Sequence, residues 1–372
     1  MFIFILLMGI LLRIRVGLFY RFGVIFLALS AALFAYCFDP STGLDLYRLQ
    51  KYVQAVNFSG PDFWSSIWGA EESLAGTSMS GLVSFNLLCY VVRLLGDIRW
   101  LSAISVFTTI GILLSVLTDY VIANKYSSKE FGIGAILIFL GLQLQYVFSG
   151  VRNGMAVAAV VLGAYLLFYK KRGVALPIVL FFIGATMHPA VLILSVPVLL
   201  CRLKNQKAIR LLGVLAIPLI FMLPNVLTRI PLTFFQYLSN RIAFYQNTEF
   251  QYDRPEMIAN LLVFATVGIC AWIQRRHGLM TISRGLEGWY MNAYYILGFI
   301  MIGCSIHRDF ALRIGYLMGI MAIPIVCKIF RSDSCRLKKM GYPSMALIVV
   351  IAVCAAKVYY DTALGFSHWT FL

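Results

Sequence analysis

The chain contains a long apolar run at residues 100–122, which reads WLSAISVFTTIGILLSVLTDYVI. A helix that crosses the hydrocarbon core of a bilayer needs roughly 20 consecutive, mostly apolar residues. The run therefore predicts a transmembrane helix. Comparable runs recur along the chain, at residues 1–15, 21–38, 131–149, 154–169, 174–187, 189–201, 209–224, 258–274, 289–306, 310–328 and 342–360.

The composition of the whole chain supports a membrane protein. Of its 372 residues, 61% are hydrophobic and 12% are charged, whereas soluble domains have about 45–50% apolar and about 25% charged residues. Continuous apolar runs, rather than alternating ones, argue against a transmembrane barrel. We therefore predict an all-α fold, a single polytopic helix bundle over residues 1–372 with about 12 transmembrane helices (10–14).

The formal net charge of the chain is +16, from 31 basic and 15 acidic residues. Nucleic-acid binding is one interpretation of this excess. Short cytoplasmic loops of membrane proteins also carry an excess of Lys and Arg. We prefer the second interpretation and predict the lipid bilayer, not a nucleic acid, as the partner.

One further apolar stretch, residues 81–96, is ambiguous because Arg93 lies near its end. If it crossed the membrane, Lys125, Lys129 and the run Lys170-Lys171-Arg172 would fall on the outer side. If it instead forms an amphipathic or re-entrant helix at the outer face, every basic cluster falls on the inner side, as the positive-inside rule expects. We therefore predict the second arrangement, with long outer loops at 39–99 and 225–257.

Ionisable residues near the outer ends of the predicted spans are the candidates for a site. Arg152 opens a helix, His188 precedes Pro189 between two apolar runs, and His307-Arg308 joins two more spans with Arg313 about one turn further on. Such groups usually line a polar cavity. Arg152 as a snorkelling arginine, His188 as a neutral histidine at a bend and 307–309 as a plain turn remain alternatives.

Several kinds of chemistry have no motif in this sequence. There is no phosphate-binding GxxxxGK[ST] motif, no dinucleotide-binding GxGxxG motif and no HExxH zinc motif. The eight cysteines include no CxxC pair, so they predict neither a metal site nor a disulfide framework. We therefore predict no metal and no cofactor.

The order of motifs resembles the EpsG-like branch of the Wzy-type polysaccharide polymerases. The resemblance covers most of the chain. It rests on Gly43-Leu44-Asp45-Leu46-Tyr47, the stretch 81–96, Arg152-Asn153-Gly154-Met155-Ala156 with the lysines that follow, His188-Pro189-Ala190 and the outer turn at 307–313.

The resemblance implies a metal-independent membrane glycosyltransferase with a GT-C-like fold. It would join oligosaccharide repeat units carried on undecaprenyl diphosphate into exopolysaccharide, capsule or O-antigen, at the periplasmic or extracellular face of the bacterial cytoplasmic membrane. Its partners would be the lipid-linked glycan donor and acceptor, with a chain-length regulator and a flippase as further possibilities.

We assign hypothetical roles on this basis. Arg152 would stabilise the diphosphate leaving group, because its planar guanidinium can pair with two phosphate oxygens. His188 would be the general base, with His307 as the reserve, and Asp45 would orient the acceptor or pair with an arginine. The predicted substrate-binding residues are Arg308, Arg313, His307, Tyr47, Arg48, Arg241 and Arg254.

Two other functions remain open at this point. A flippase or transporter for the same lipid-linked oligosaccharide would also need many spans and cations, but would bind at mid-membrane. A membrane O-acyltransferase would also use a histidine.

Overall fold

The computed structural model describes part of the chain. The described residues are 17–40, 45–56, 58, 63–69, 73–74, 77–78, 81–141, 144–170, 173–188, 191, 195, 199, 208, 211, 214–215, 229, 254–276, 286–303, 308–330, 345, 348–353, 355 and 370–371. They divide into two compact units, the first formed by Met1–Gly132, Gln143–Leu192 and Asp361–Leu372, the second by Ile133–Leu142 and Ile193–Tyr360.

Nearly all regular structure in the described residues is helical. The helices, several of them short, are α1 (Gly17–Tyr36), α2 (Asp45–Ala55), α3 (Phe63–Gly69), α4 (Val83–Leu94), α5 (Trp100–Ala123), α6 (Ser128–Gly141), α7 (Leu144–Ser149), α8 (Val151–Phe168), α9 (Ala175–Met187), α10 (Arg254–Arg276), α11 (Leu286–Gly303) and α12 (Arg308–Phe330). Two small antiparallel strand pairs complete the described elements, β1 (Phe38–Asp39) with β4 (Thr370–Phe371) and β2 (Ser73–Leu74) with β3 (Thr77–Ser78).

Helices α1 and α5 pack antiparallel, so the C-terminal end of one lies beside the N-terminal end of the other. Tyr36 donates a hydrogen bond to Asp97 at 2.6 Å, and its ring lies 5.1 Å from that of Trp100. Arg99 places its guanidinium over the Tyr36 ring and pairs with Asp97 at 2.6 Å. These hydrogen bonds from Arg99 and Tyr36 hold the pKa of the Asp97 carboxyl below its usual range.

This contact places both ends of the segment between α1 and α5 at the same end of the bundle. Residues 36 and 97–100 lie at the same end of the bundle, so the chain that contains α2, α3 and α4 returns to the end from which it left. The helices in this segment are short, and α4 has only 12 residues. The predicted helix within 81–96 is therefore confirmed, and it does not traverse the bundle.

Helices α5 and α8 run parallel along their whole length. Ser105 donates to the carbonyl of Val151 at 3.0 Å near one end, and Tyr165 donates to the Asp119 carboxylate near the other. Asn124 donates to the Tyr169 hydroxyl beyond that. Because two consecutive spans of one chain are antiparallel, parallel α5 and α8 require an intervening helix that runs back, as the sequence predicted for 131–149.

Helices α8 and α9 form an antiparallel hairpin that packs closely at glycines. A Cβ at Gly163 would lie 3.3 Å from the Pro177 carbonyl, and one at Gly184 would lie 3.1 Å from the Ala156 carbonyl. Small residues allow membrane helices to approach each other in this way. We call the end of this unit that holds Tyr36 and Trp100 the site end, and the opposite end, with Asp119 and Lys170, the lysine end.

The second unit contains helices α10, α11 and α12. The hydroxyl of the buried Tyr294 donates to the carbonyls of Val263 and Phe264 at 3.2 Å, which ties α11 to α10. Gly315 of α12 lies against the side chain of Asn260, so that a Cβ at this glycine would be 3.0 Å from the carbon of the Asn260 amide. This close approach ties α12 to α10.

The protein is an all-α membrane protein. Two described helices, Trp100–Ala123 and Val151–Phe168, are long and apolar enough to cross a bilayer, and several shorter helices are similarly apolar. Helix α1 exposes Phe22, Ile25 and Leu33 at between 50 and 66% of their area, which suits contact with lipid. The number of spans stays a prediction, because the candidates at 1–15, 189–201, 209–224 and 342–360 lie wholly or largely outside the described residues.

Candidate functional site

Arg152 stands in the first turn of helix α8, as the sequence predicted. Gly150 occupies the N-cap position, and as a glycine it has no side-chain oxygen to cap this turn. Two residues after the arginine, Gly154 brings α8 so close to α5 that a Cβ there would lie 3.1 Å from the hydroxyl oxygen of Thr109. The start of α8 is therefore held rigidly against a neighbouring helix.

The Arg152 guanidinium rests on helix α4. Its central carbon lies 5.4 Å from the centre of the Phe85 ring, and Phe85 is fully buried. Cys89 lies one turn further along α4. Burial raises the pKa of the Cys89 thiol well above its usual range, and the charge of Arg152 opposes that shift. Both observations place the positive charge of Arg152 against the inner face of α4.

His188 ends helix α9. Its backbone is extended, with φ −149° and ψ 110°, and its N–H donates to the Gly184 carbonyl at 2.9 Å. The residue is partly exposed, while its Nδ1 atom is buried. The predicted bend before Pro189 is therefore present.

The register of the hairpin brings Arg152 and His188 to the same level. Gly184 of α9 lies against Ala156 of α8. Arg152 is four residues before Ala156, and His188 is four residues after Gly184. Because the two helices are antiparallel, both steps lead one turn towards the site end. The two residues therefore sit across from one another at that end.

The first turn of α4 covers this end of the hairpin. Ser84 and Thr186 share a hydrogen bond of 2.7 Å. Thr186 also donates to the Phe182 carbonyl at 2.9 Å, which leaves Ser84 as the donor between the two hydroxyls. Neighbouring residues of α4 thus contact both helices, Ser84 on α9 and Phe85 on α8.

Asp45, which we predicted to orient the acceptor or to pair with an arginine, begins helix α2 near the same end of the hairpin. The N–H of Leu46 donates to the hydroxyl of Ser149 at 3.4 Å, three residues before Arg152. The Asp45 carboxylate is half exposed and lies 4.0 Å from the Arg48 guanidinium. Lys51 stacks over the ring of Tyr47, 5.3 Å from its centre. Helix α2 therefore brings polar groups to the site end of the bundle.

A buried polar network fixes α2 to α4. The Tyr52 hydroxyl donates to Asn86 at 2.9 Å, and the Asn86 amide donates to the Ile67 carbonyl at 3.0 Å. At the other end of α2, Arg93 donates to the carbonyls of Val53, Gln54 and Val56 at 2.7 to 3.1 Å. These bonds satisfy carbonyls that a helix C-terminus leaves without partners.

Helices α2 and α4 present opposite kinds of surface. Helix α2 exposes Asp45, Arg48 and Lys51, whereas α4 exposes Leu87 at 50% and Leu94 at 68%. An apolar outer face on a helix whose inner face is already buried suits contact with lipid. This pattern fits the predicted amphipathic helix, and its position at the outer membrane surface stays a prediction.

The remaining predicted residues are not brought to this site by the described contacts. Arg308 and Arg313 belong to the first turns of α12, and Arg254 begins α10, all in the second unit. His307 and Arg241 lie outside the described residues. Their convergence with Arg152 stays a prediction.

Sequence reasoning missed the residues that support Arg152 and His188. Phe85, Ser84 and Thr186 belong to apolar runs that show no chemistry of their own. The one signal in the sequence was the buried stripe of α4, where Phe85, Cys89 and Val92 recur at helical spacing. Among the described residues, no group of three or more His, Cys, Asp or Glu side chains is arranged to hold a metal ion.

Comparison with known proteins identifies the class to which this fold and site belong. The EpsG family matches residues 83–371, which is most of the chain. The protein therefore belongs to the EpsG family, and this membership indicates a membrane protein of polysaccharide biosynthesis with a polymerase-type function. No curated protein and no solved structure matches the chain.

Proposed function

We propose that this protein polymerises oligosaccharide repeat units carried on undecaprenyl diphosphate, as a metal-independent glycosyltransferase. One observation carries the proposal. In a member of the EpsG family, an arginine at a helix N-terminus and a histidine at a helix C-terminus share one end of an antiparallel hairpin. The glycosyl diphosphate would react between this cation and this base.

Arg152 is the group that would hold the diphosphate. A helix N-terminus attracts anions through its free N–H groups and its dipole, and the guanidinium fork adds two parallel hydrogen bonds. The aromatic ring of Phe85 supports one face of the guanidinium, whereas the N–H donors of the group lie around its edge. Charge placed in this way stabilises the leaving group as the bond to it breaks.

His188 would act as the general base. It accepts the proton of the acceptor sugar hydroxyl while the hydroxyl oxygen bonds to the anomeric carbon of the donor. The bond between that carbon and the diphosphate oxygen breaks, and its electron pair leaves with the diphosphate. Nδ1 is buried, whereas the residue as a whole is partly exposed. We therefore propose that Nε2 is the atom that accepts the proton from the sugar hydroxyl. General bases of this kind typically contribute about 10²–10⁴-fold in rate.

The proposed orientation puts the site end on the outer face of the bacterial cytoplasmic membrane. Lys125, Lys129 and Lys170 lie at the opposite end, in or beside short connections. Basic residues in short loops mark the cytoplasmic side. The lipid-linked donor and acceptor would then reach the site from the outer leaflet, with Asp45 near the acceptor, and a flippase and a chain-length regulator as partners in the same process.

The test is complementation of a host whose own polymerase of the same pathway has been deleted. Arg152→Lys keeps the charge but loses the planar fork, and His188→Ala removes the base, so both variants should abolish long chains while protein levels stay normal. Arg99→Lys is the matched control, because Arg99 is a site-end arginine whose partners lie within the protein. It should retain normal chain-length ladders.

Two outcomes would overturn this proposal. Normal ladders from both Arg152→Lys and His188→Ala would show that these residues do not carry the reaction. Accumulation of single repeat units on the inner leaflet of the deletion strain, rather than on the outer leaflet, would indicate a flippase.

A further inference from the structure

A groove runs along helix α5 between α1 and α8. Its volume is about 530 Å³. Helix α5 forms its floor, α1 forms one wall and α8 the other. Apolar side chains such as Ile25, Ile112 and Leu162 dominate the lining, and its uncharged polar exceptions on α5 are Ser115 near the middle and Thr108 near one end.

The groove ends at a charged group at the lysine end. Lys170 and Asp119 line this end and form an ion pair of 2.6 Å, and Tyr165 donates a hydrogen bond to the same carboxylate. Both charged side chains are about one-third exposed or more. The opposite end of the groove, at Phe107, has no charged lining residue. The groove is therefore apolar along its length and polar at one mouth.

Further basic residues belong to the same end of the bundle. Ala28 of α1 faces Gly111 of α5, and the two helices are antiparallel. The backbone of Arg21, seven residues before Ala28, therefore lies at the level of residues 118 and 119. Lys125 and Lys129, in and beside the connection after α5, belong to the same end. Among the described residues, basic residues thus outnumber the acidic Asp119 and Glu130 at this end of the bundle.

The length of the groove matches one leaflet of a membrane. From Phe107 to Asp119 the helix rises about 18 Å, at 1.5 Å per residue. The hydrocarbon core of one leaflet is about 15 Å thick, half of the full core. An acyl chain that starts at the membrane surface beside Lys170 can therefore lie along the groove for its whole length.

We propose that this groove binds an anionic phospholipid of the leaflet at the lysine end. One acyl chain lies on α5 between α1 and α8, and the phosphate group lies beside Lys170, at the end of the bundle where basic residues are in excess. The phosphate end of this site lies at the opposite end of α5 from the level of Arg152. A zwitterionic lipid would fill the groove equally well but would lack the net charge that the mouth favours.

Native mass spectrometry of the full-length protein in detergent tests the proposal. Phosphatidylglycerol and phosphatidylcholine with identical acyl chains are titrated separately, and retained lipid is counted. We expect tighter binding of phosphatidylglycerol. Lys170→Glu changes the local charge by two units, at about 1 kcal/mol each, so that affinity for phosphatidylglycerol should fall roughly 30-fold.

Matched variants separate the groove from general charge effects. Lys51→Glu makes the same charge change at the site end and should leave binding unchanged. Ser115→Phe fills the middle of the groove and should weaken both lipids, whereas Ser115→Ala should not. Circular dichroism establishes that each variant is folded, and Ser115→Phe keeps the test decisive if Lys170→Glu does not fold.

The outcomes that overturn the proposal are definite. Equal affinity of the unaltered protein for the two phospholipids would show that the basic residues at the mouth do not select an anionic lipid. Unchanged lipid binding in Ser115→Phe would place the lipid elsewhere. Preferential retention of undecaprenyl phosphate over phosphatidylglycerol, lost in Ser115→Phe, would assign the groove to a polyprenyl carrier instead.

Discussion

Arg152 and Phe85 form the contact on which the candidate site is built. The guanidinium carbon lies 5.4 Å from the ring centre, and the same ring stacks on Tyr52 at 6.0 Å between centres. Tyr52 is in turn hydrogen-bonded to Asn86. The orientation of the arginine at the start of α8 thus depends on a buried network between α2 and α4, two helices that precede it by more than fifty residues.

The first prediction concerns Phe85 as the support of Arg152. Phe85→Leu removes the ring face and keeps an apolar side chain. A cation–π contact contributes about 0.5–1 kcal/mol when exposed and about 2 kcal/mol when desolvated. We therefore expect polymer synthesis to fall between about 2-fold and 30-fold, and Phe85→Tyr to retain most of it. Chain-length ladders at matched protein levels provide the measurement.

The control for this prediction is Phe148→Leu. Phe148 is also fully buried, and its ring contacts are with Phe34 and Phe38. The two variants lose the same side-chain volume, so they should lower thermal stability similarly. An equal loss of polymer in both would show that Phe85 acts through packing alone.

The second prediction concerns the level of His188 relative to Arg152. A Cβ at Gly184 would lie 3.1 Å from a backbone carbonyl, so Gly184→Ala must shift the hairpin by a few tenths of an ångström. A misplacement of 1 Å can cost about 100-fold in rate. We expect a severalfold loss of activity and a destabilisation of about 1–3 kcal/mol, measured by ladders and by thermal unfolding.

Two other glycines serve as controls for Gly184. A Cβ at Gly111 would meet Ala28 at an ordinary 3.7 Å, and a Cβ at Gly173 would have no neighbour within 4 Å. Alanine at either position should leave the chain-length ladders and the thermal stability near normal. A fully active Gly184→Ala protein would mean that the spacing between α8 and α9 does not matter for the reaction.

Local elements of the site were predictable from the sequence because they depend on short-range physics. The apolar run at 154–169 predicted α8 with Arg152 at its start, and the run at 174–187 predicted α9 with His188 directly after it. The apolar residues of 81–96 predicted a helix there, and α4 confirms the helix, while its position at the membrane surface stays a prediction. Each of these features is encoded within a short stretch of consecutive residues.

The packing around the site was not predictable in this way. Ser84 meets Thr186 across a separation of 102 residues, and Leu46 meets Ser149 across 103. No sequence pattern identifies the members of either pair as partners. Apolar helices commonly contain several serines and threonines, and each of them could form such a hydrogen bond. The choice of partner follows from how closely α4 approaches the hairpin, which is a property of the assembled bundle.

The third prediction tests that pairing by a double-mutant cycle. Ser84→Ala and Thr186→Val each remove one partner of the 2.7 Å hydrogen bond. Hydrogen bonds between helices of membrane proteins average about 0.6 kcal/mol, so we expect a coupling energy of about 0.6–1 kcal/mol. The measurement is the free energy of unfolding of the two single variants and the double variant. Strictly additive losses would mean that the two hydroxyls do not stabilise the protein as a pair.

The fourth prediction concerns the acid stability of the contact between α1 and α5. The pKa of Asp97 is lowered in the folded protein, first by the hydrogen bond from Arg99 and then by that from Tyr36. A carboxyl with a lowered folded pKa stabilises the protein fully above its unfolded pKa of about 3.9, and this stabilisation is lost as the pH falls through the lower folded value. Asp97→Asn should therefore be less stable than the unaltered protein at pH 7, by about 0.5–1 kcal/mol for a partly exposed pair.

The sign of the pH dependence makes this prediction specific. The difference in unfolding free energy between the unaltered protein and Asp97→Asn should stay constant from pH 7 down to about 5, then narrow as the pH is lowered below about 4. Asp45→Asn is the control at pH 7, because its carboxylate is half exposed and 4.0 Å from its arginine, so its loss should change the unfolding free energy little. A difference that instead widens in acid would mean that the folded protein binds a proton at Asp97 more tightly than the unfolded chain does.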